Sequence, residues 1–193
     1  MKAFLRGCMR ICFNAEKEKS LIQKTLSGDE YAFKELTEPY VPMLYNYIKL
    51  KVSGNADIED ILQDTMLSIW QSLDKYSAQS AFKTWIFAIA KRRIADFYRE
   101  KYAEINLNSE LTDDIAGADN DIFSEIDDKL DLYAALSKLS EEHRELIYLV
   151  FNAGLTYEEI QDITGMKTGT IKSRIHYIKK TLYTILKGGD ADE

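Results

Sequence analysis

The last third of the chain repeats apolar positions with the spacing of two short α-helices. In the first, Thr156 and Glu159 form a capping-box pattern that predicts a helix start. Gly165 then permits a turn that a residue with a Cβ atom resists. In the second, four apolar residues at helical spacing predict one buried stripe: Ile171, Ile175, Ile178 and Leu182.

The opposite face of the second helix is basic and hydroxyl-bearing. Thr168 or Thr170 is expected to cap this helix. Arg174 lies beside an exposed row made of Lys172, Ser173, His176, Lys179 and Lys180. A helix that is apolar behind and basic in front, held by a preceding helix, is typical of a helix-turn-helix, whose second helix fits the DNA major groove. The spacing alone also allows an ordinary helical hairpin with a solvated lysine face.

Residues 21–52 follow a helical pattern that turn residues interrupt at 27–29. Pro39 and Pro42 predict a kink or a break, because each removes a backbone donor and clashes with the preceding turn. Residues 129–138 and 140–154 predict two further helices, the second capped by Ser140.

The helix predicted over residues 56–76, with Asp57 as its cap, has one apolar and one acidic face. The apolar face holds Ile58, Ile61, Leu62, Thr65, Met66, Ile69, Trp70 and Leu73. The acidic face holds Glu59, Asp60, Gln63, Asp64 and Gln71. Because this face would repel DNA phosphates, it is either a solvated surface or a docking surface for a basic protein.

A short polar loop, residues 76–82, leads into a helix whose exposed side is basic. The basic residues are Lys83, Lys91, Arg92, Arg93, Arg99 and Lys101, and the aromatic residues among them are Phe82, Phe87, Phe97 and Tyr98. The buried side is expected to hold Trp85, Ile86, Ile89, Ala90 and Ile94. Cations among rings suit single-stranded nucleic acid, since each ring can stack a base for about 1–3 kcal/mol. The alternative is that most of these rings, Trp85 and Phe97 above all, belong to the core.

The net charge of −7 hides an uneven distribution. Residues 102–131 carry a net charge of −9, whereas residues 82–101 carry +4 and residues 154–187 carry +3. Local patches, rather than the total, decide electrostatic binding. The acidic strip has no sustained period, which predicts a flexible linker.

The chain is therefore expected to be all-α, with two small helical domains, since two prolines and nine glycines in 193 residues are few for a β protein. The predicted segments are a disordered or loosely docked leader over 1–20, domains at 21–101 and 129–187, an acidic linker over 102–128 and a tail over 188–193.

The remaining residue types exclude several classes of function. Cys8 and Cys12 make neither a disulfide framework nor a zinc ligand set, and a reducing cytoplasm is the simpler setting. No run of about twenty apolar residues predicts a membrane span. The sequence lacks a phosphate-binding glycine loop and a nucleophile elbow, and His143 and His176 have no partners at ligand spacing. These observations predict a binding protein rather than an enzyme, with no cofactor and no metal.

Several stretches together resemble one family. The segment ADIEDILQDTMLSIW resembles the signature helix of region 2 in sigma factors of the sigma-70 family, and FKTWIFAIAKRRIADFYR resembles the part that follows it. GDEYAFKEL with Pro42 fits the start of region 2, and GLTYEEIQDITGMKTGTIKSR resembles the helix-turn-helix of region 4. Since only regions 2 and 4 are present, residues 21–187 are similar to the extracytoplasmic-function group.

The resemblance implies a role for each surface. It implies that the β′ clamp of core RNA polymerase is bound by Asp57, Asp60, Gln63 and Asp64. It implies that the 76–82 loop captures an unstacked base of the −10 promoter element. The residues implied to contact this element are Tyr76, Ser77, Ser80, Phe82, Lys83, Lys91, Arg92, Arg93, Asp96 and Arg99. It implies contacts with the −35 element for Thr170, Lys172, Ser173, Arg174, His176, Tyr177 and Lys179.

The sequence departs from the family pattern at two reading positions. Arg92 stands where the family often has Asn, and Tyr177 stands where it often has Arg, so the promoter sequence is not predicted. The resemblance implies an alternative sigma factor in a bacterial cytoplasm, partnered by core RNA polymerase (its β′ clamp and β subunit), promoter DNA and an anti-sigma factor. The other interpretations are a free-standing helix-turn-helix regulator and an adaptor that does not bind DNA.

Overall fold

The computed structural model describes residues 15–107 and 135–186, and every regular element in these ranges is a helix. The all-α prediction is therefore confirmed. The chain divides into two compact units, which are described one at a time. In the described ranges there is no helix long and apolar enough to cross a membrane.

Within residues 15–107, the first unit has five α-helices and one 3₁₀ turn. These are α1 (Ala15–Leu26), α2 (Glu30–Thr37), α3 (Val41–Lys49), α4 (Asn55–Ser72), the 3₁₀ turn (Leu73–Lys75) and α5 (Phe82–Leu107). Asp29 caps α2 by accepting a hydrogen bond from the backbone N–H of Ala32 at 3.0 Å. The break predicted at the prolines is confirmed, because α2 ends at Thr37 and Pro42 lies in the first turn of α3.

The core of the first unit is built from the apolar faces of its helices. Leu36, Leu44 and Ile48 are buried, and the rings of Tyr47 and Phe87 meet edge-on with centroids 5.3 Å apart. Helix α4 contributes its buried side through Ile58, Ile61, Thr65 and Ile69. Since these residues face inward, the acidic side of α4 is left to solvent.

Four sequence expectations for the first unit were wrong. Residues 15–20 are helical rather than part of a disordered leader, and residues 102–107 belong to α5 rather than to the linker. Gly54, with a φ of 95°, caps α4, so Asp57 lies in the first turn instead. Trp85 and Ile89 are half-buried rather than core residues, because they lie at the edge of the apolar stripe. Residues 1–14, with both cysteines, and 108–134, with most of the linker, lie outside the described ranges.

The second unit ends in the predicted helix-turn-helix. Its elements are a short helical segment at 135–137, α6 (Glu141–Ile147), a π turn (Tyr148–Asn152), α7 (Tyr157–Thr164) and α8 (Thr168–Leu186). Both bonds of the Thr156–Glu159 capping box are present, and Gly165 ends α7 in the left-handed conformation with a φ of 75°. Ser140 caps α6, as predicted.

Other details of the second unit differ from the prediction. The helix expected over 140–154 is α-helical only as far as Ile147 and continues as a π turn. In this turn the Ala153 N–H donates to the Tyr148 carbonyl at 2.9 Å. Helix α8 begins at Thr168, so neither Thr168 nor Thr170 is its cap. Ile171, Ile175 and Ile178 are buried as expected, whereas Leu182 is only half-buried near the end of the helix.

Candidate functional site

The outer face of α4 is acidic, exposed and partly apolar. Asp60, Gln63 and Asp64 are exposed, whereas Asp57 is half-buried, with its Oδ2 atom 3.9 Å from Nζ of Lys101. Leu67 lies on the same face with 49% of its surface exposed, and the sequence interpretation missed it. Its position three residues after Asp64, within one helical turn, could have identified it. The outer face of α4 therefore combines carboxylates, an amide and one exposed leucine.

The loop between α4 and α5 is closed by its own hydrogen bond. The Tyr76 hydroxyl donates to the Ser80 carbonyl at 2.8 Å. Ala78, between them, has a φ of 56°, a conformation that disfavours residues other than glycine. Ser77 is exposed at the loop surface, and Ser80 is half-buried. The Tyr76–Ser80 hydrogen bond thus ties the two ends of the exposed part of the loop together.

Phe82 supports this loop from within and does not reach the surface. It is fully buried, and its ring centroid lies 5.5 Å from that of Tyr76, 5.8 Å from that of Trp85 and 5.8 Å from that of Tyr40. The structure therefore gives no support to the predicted contact of Phe82 with DNA, because the ring has no exposed surface. Phe87, expected among the stacking rings, is also buried. Trp85 remains half-exposed beside the loop.

The basic face of α5 is ordered by one carboxylate. Asp96 contacts Nη1 of Arg93 at 3.3 Å and also pairs with Arg99 one turn later. Arg92 and Arg99 are exposed, while Lys83, Lys91 and Arg93 are half-buried. Asp96 therefore aligns two cations on one side of the helix while lowering the net charge that they present.

The exposed face of α8 contains most of the residues predicted to read DNA. Thr170, Lys172, Ser173, His176, Tyr177 and Lys179 are exposed, and so is Lys180, which the site prediction did not include. The Ser173 hydroxyl donates to the Thr170 carbonyl at 2.9 Å. The apolar stripe behind them fixes this face outward, so the structure brings these side chains together on one surface.

Three of the predicted α8 residues make contacts with the preceding elements of the unit. Nη1 of Arg174 lies 2.6 Å from Oε2 of Glu142 and 3.4 Å from Sδ of Met166. The Tyr177 ring centroid is 5.8 Å from that of His143, and Nζ of Lys179 lies 5.3 Å from the centre of the Phe151 ring. Arg174 thus lies on the flank of α8, where its guanidinium contacts side chains of the protein itself.

Both halves of the chain match sequence profiles of one family. The profile of sigma-70 region 2 matches residues 36–103, and that of sigma-70 region 4 matches residues 129–182. The ECF RNA polymerase sigma factor RpoE of Cereibacter sphaeroides is 31% identical over 153 residues, which cover 76% of this chain and 82% of that relative. The chain belongs to the ECF sigma factors of the sigma-70 family. The alternatives of a free-standing regulator and of an adaptor are set aside.

Further comparisons agree with this membership. The ECF RNA polymerase sigma factor SigW of Bacillus subtilis is 26% identical over 179 residues, covering 85% of this sigma factor and 94% of SigW. Among solved structures, RpoE from Bartonella quintana, in complex with the anti-sigma factor NepR, is 28% identical, with a TM-score of 0.61 and coverage of 83% and 98%. Members of this family are transcription initiation factors. The acidic face, the loop and the exposed residues 170–180 of α8 lie within the matched ranges, whereas α1 lies outside them.

Proposed function

We propose that this sigma factor binds core RNA polymerase through the acidic face of α4 and reads promoters through the loop and α8. The coexistence of an exposed acidic face and a basic, aromatic surface in one unit carries the proposal. Asp60, Gln63, Asp64 and the exposed Leu67 suit the basic clamp of the β′ subunit, with Asp57 at the edge of the contact. DNA phosphates would be repelled by this face and attracted to α5.

The loop is the proposed site for an unstacked base of the −10 element. Extracting a base costs a few kcal/mol, which stacking of about 1–3 kcal/mol per base can largely offset. The hydrogen bond from Tyr76 to Ser80 supports this role, because a loop that is partly ordered by its own contacts loses less entropy when DNA binds. Ser77 and Ser80 would approach the base, Trp85 offers a partly exposed ring, and the basic residues of α5 with Asp96 would face the upstream part of the element.

Helix α8 is the proposed reader of the −35 element. Lys172, Ser173, His176 and Tyr177 would enter the major groove, with Thr170 near a phosphate at the start of the helix. Lys179 and Lys180 would add attraction to the DNA backbone. Arg174 is better suited to holding α8 against α6 than to reading a base, because Glu142 already pairs with it.

An inhibitory partner is also part of the proposal. The Bartonella quintana relative was solved with an anti-sigma factor bound. We infer that a protein of this class controls access of the present sigma factor to the polymerase in the bacterial cytoplasm.

Reconstitution with core RNA polymerase tests the proposal directly. The purified chain should form a stable complex and direct transcripts from defined start sites on bacterial DNA. Asp60→Arg should weaken core binding, because it reverses a charge on the docking face, whereas Glu38→Arg changes another exposed carboxylate and should not. The absence of a complex and of specific transcripts would refute the proposal, and equal affinity of both variants would refute the docking face.

A further inference from the structure

Helix α1 packs against α2 and the 3₁₀ turn that precedes the 76–82 loop. It does so although it lies before the segment matched to region 2. The match begins at residue 36, whereas α1 spans Ala15–Leu26. Leu21 and Thr25 are buried, and Nζ of Lys17 lies 2.7 Å from Oε1 of Glu35 on α2. The helix is therefore fixed to the first unit, and its side chains hold defined positions.

Glu18 connects this helix to the aromatic residues beneath the loop. Its half-buried carboxylate accepts a hydrogen bond, through Oε2, from the Tyr40 hydroxyl at 3.4 Å. The Tyr40 ring contacts Phe82, with centroids 5.8 Å apart, and Phe82 contacts Tyr76 at 5.5 Å. The Tyr76 hydroxyl then closes the loop on Ser80. These contacts run without interruption from α1 to the loop.

The electrostatics of this cluster agree with its geometry. Burial raises the pKa of Glu18, and the hydrogen bond from Tyr40 opposes that shift. Burial also raises the pKa of Tyr76, with a further contribution from the negative charge of Glu18. The direct contact of Glu18 is with the Tyr40 hydroxyl, and the Tyr40 and Phe82 rings connect that contact to Tyr76.

We propose that Glu18 is a positioning residue for base capture, which holds the Tyr40 ring and, through Phe82, the base-capturing loop. The inference rests on the proposed function of the loop. A binding site must be held close to its productive geometry by supporting side chains, because ordering it during binding would reduce affinity. Glu18 touches no DNA in this scheme, and its hydrogen bond with Tyr40 carries the positioning.

The test uses the holoenzyme, formed from the full chain and core RNA polymerase. The probe is a single-stranded oligonucleotide that carries the nontemplate −10 sequence of a promoter selected by the wild-type holoenzyme from a randomised pool. Glu18→Ala and Tyr40→Phe should each weaken its binding by about three- to tenfold, the range of a single hydrogen bond. The double variant should be no weaker than either single variant, because both remove the same interaction.

Two further variants separate positioning from charge. Glu18→Gln keeps an acceptor oxygen and should retain affinity within about twofold of the wild type. Glu30→Gln removes an exposed carboxylate from the first turn of α2 and serves as the charge control. Affinity for core polymerase and for a duplex −35 element should not change in any of these proteins.

The opposing outcomes are distinct. Unchanged probe affinity in Glu18→Ala, or losses that multiply in the double variant, would overturn the role of Glu18. A parallel loss of core, −35 and probe affinity would show general destabilisation and overturn it as well. Tyr76→Ala distinguishes base capture by the loop from positioning by Glu18. If Tyr76→Ala abolishes probe binding while Glu18→Ala has no effect, the loop does capture the base and only the role of Glu18 is refuted. If Tyr76→Ala also has no effect, both fail.

Discussion

Arg174 provides the clearest test of how α8, the proposed reader of the −35 element, is held in place. Its guanidinium lies 2.6 Å from the carboxylate of Glu142, with the two side chains 36% and 69% exposed. An ion pair this exposed contributes about 0.2–1 kcal/mol to folding. A bidentate contact with a base would instead contribute about 1–3 kcal/mol, and only on promoters that carry that base. The two roles of Arg174 therefore differ in the size of their free-energy contribution and in whether that contribution depends on the promoter sequence.

We expect Arg174→Ala to lower the free energy of unfolding of the second unit by less than about 1 kcal/mol. It should weaken binding to all −35 sequences by the same factor. The assay pairs denaturant unfolding of the chain with holoenzyme binding to −35 duplexes that differ by one base pair. Lys172→Ala, on the exposed face, is the comparison for a residue that is proposed to contact DNA.

Glu142→Gln completes the experiment, because it removes the charge from the other side of the pair. The stability losses of Arg174→Ala and Glu142→Gln should not add in the double variant. The reasoning would be refuted if Arg174→Ala left unfolding unchanged and lost about tenfold in affinity, roughly 1.4 kcal/mol, on sequences with one particular base pair.

Three other predictions follow from burial and exposure. Leu67→Glu should reduce core polymerase affinity by about tenfold or more, since a leucine buried at an interface contributes about 1.5–3 kcal/mol; unchanged affinity in a pull-down titration would exclude Leu67 from the contact. Phe82→Ala should lower the free energy of unfolding of the first unit by about 3–5 kcal/mol in urea; normal stability with lost DNA binding would restore Phe82 as a DNA contact. Burial raises the pKa of Tyr148, so its hydroxyl ionises more readily in the unfolded chain, and stability should fall as pH rises above about 10, by up to about 1.4 kcal/mol per pH unit. Tyr148→Phe should flatten that dependence in unfolding curves, and an unchanged slope would contradict it.

The parts of the fold that the sequence predicted are those set by local chemistry. The capping box at Thr156, the left-handed turn at Gly165 and the break at Pro42 each depend on residues within one helical turn. The stripe of α8 is likewise periodic over its own length. Such features can be predicted from the amino-acid sequence because no distant residue is needed to form them.

The differences from the sequence expectations concern residues whose surroundings depend on distant partners. Phe82 stands among basic residues, a pattern that a stacking ring and a core ring share, and Tyr40, 42 residues earlier, is among the rings that enclose it. Arg174 has the spacing of a reading residue, but Glu142 on another helix engages it. Helix α1 is predominantly polar, and its start was missed because packing against α2, rather than a continuous apolar stripe, supports it.

The π turn at Tyr148–Asn152 has a consequence for how this family can vary in length. A π turn closes its hydrogen bonds one residue further along than an α-helix, so it accommodates one extra residue. We expect relatives to gain or lose a single residue here, because the loss restores an ordinary helical turn and leaves α7 and α8 intact. The same deletion within α8 would rotate all later side chains by about 100° around the helix axis and turn the proposed DNA-reading face away from its orientation. Evolution can therefore adjust the length of region 4 at the π turn while the exposed residues of α8 keep their register.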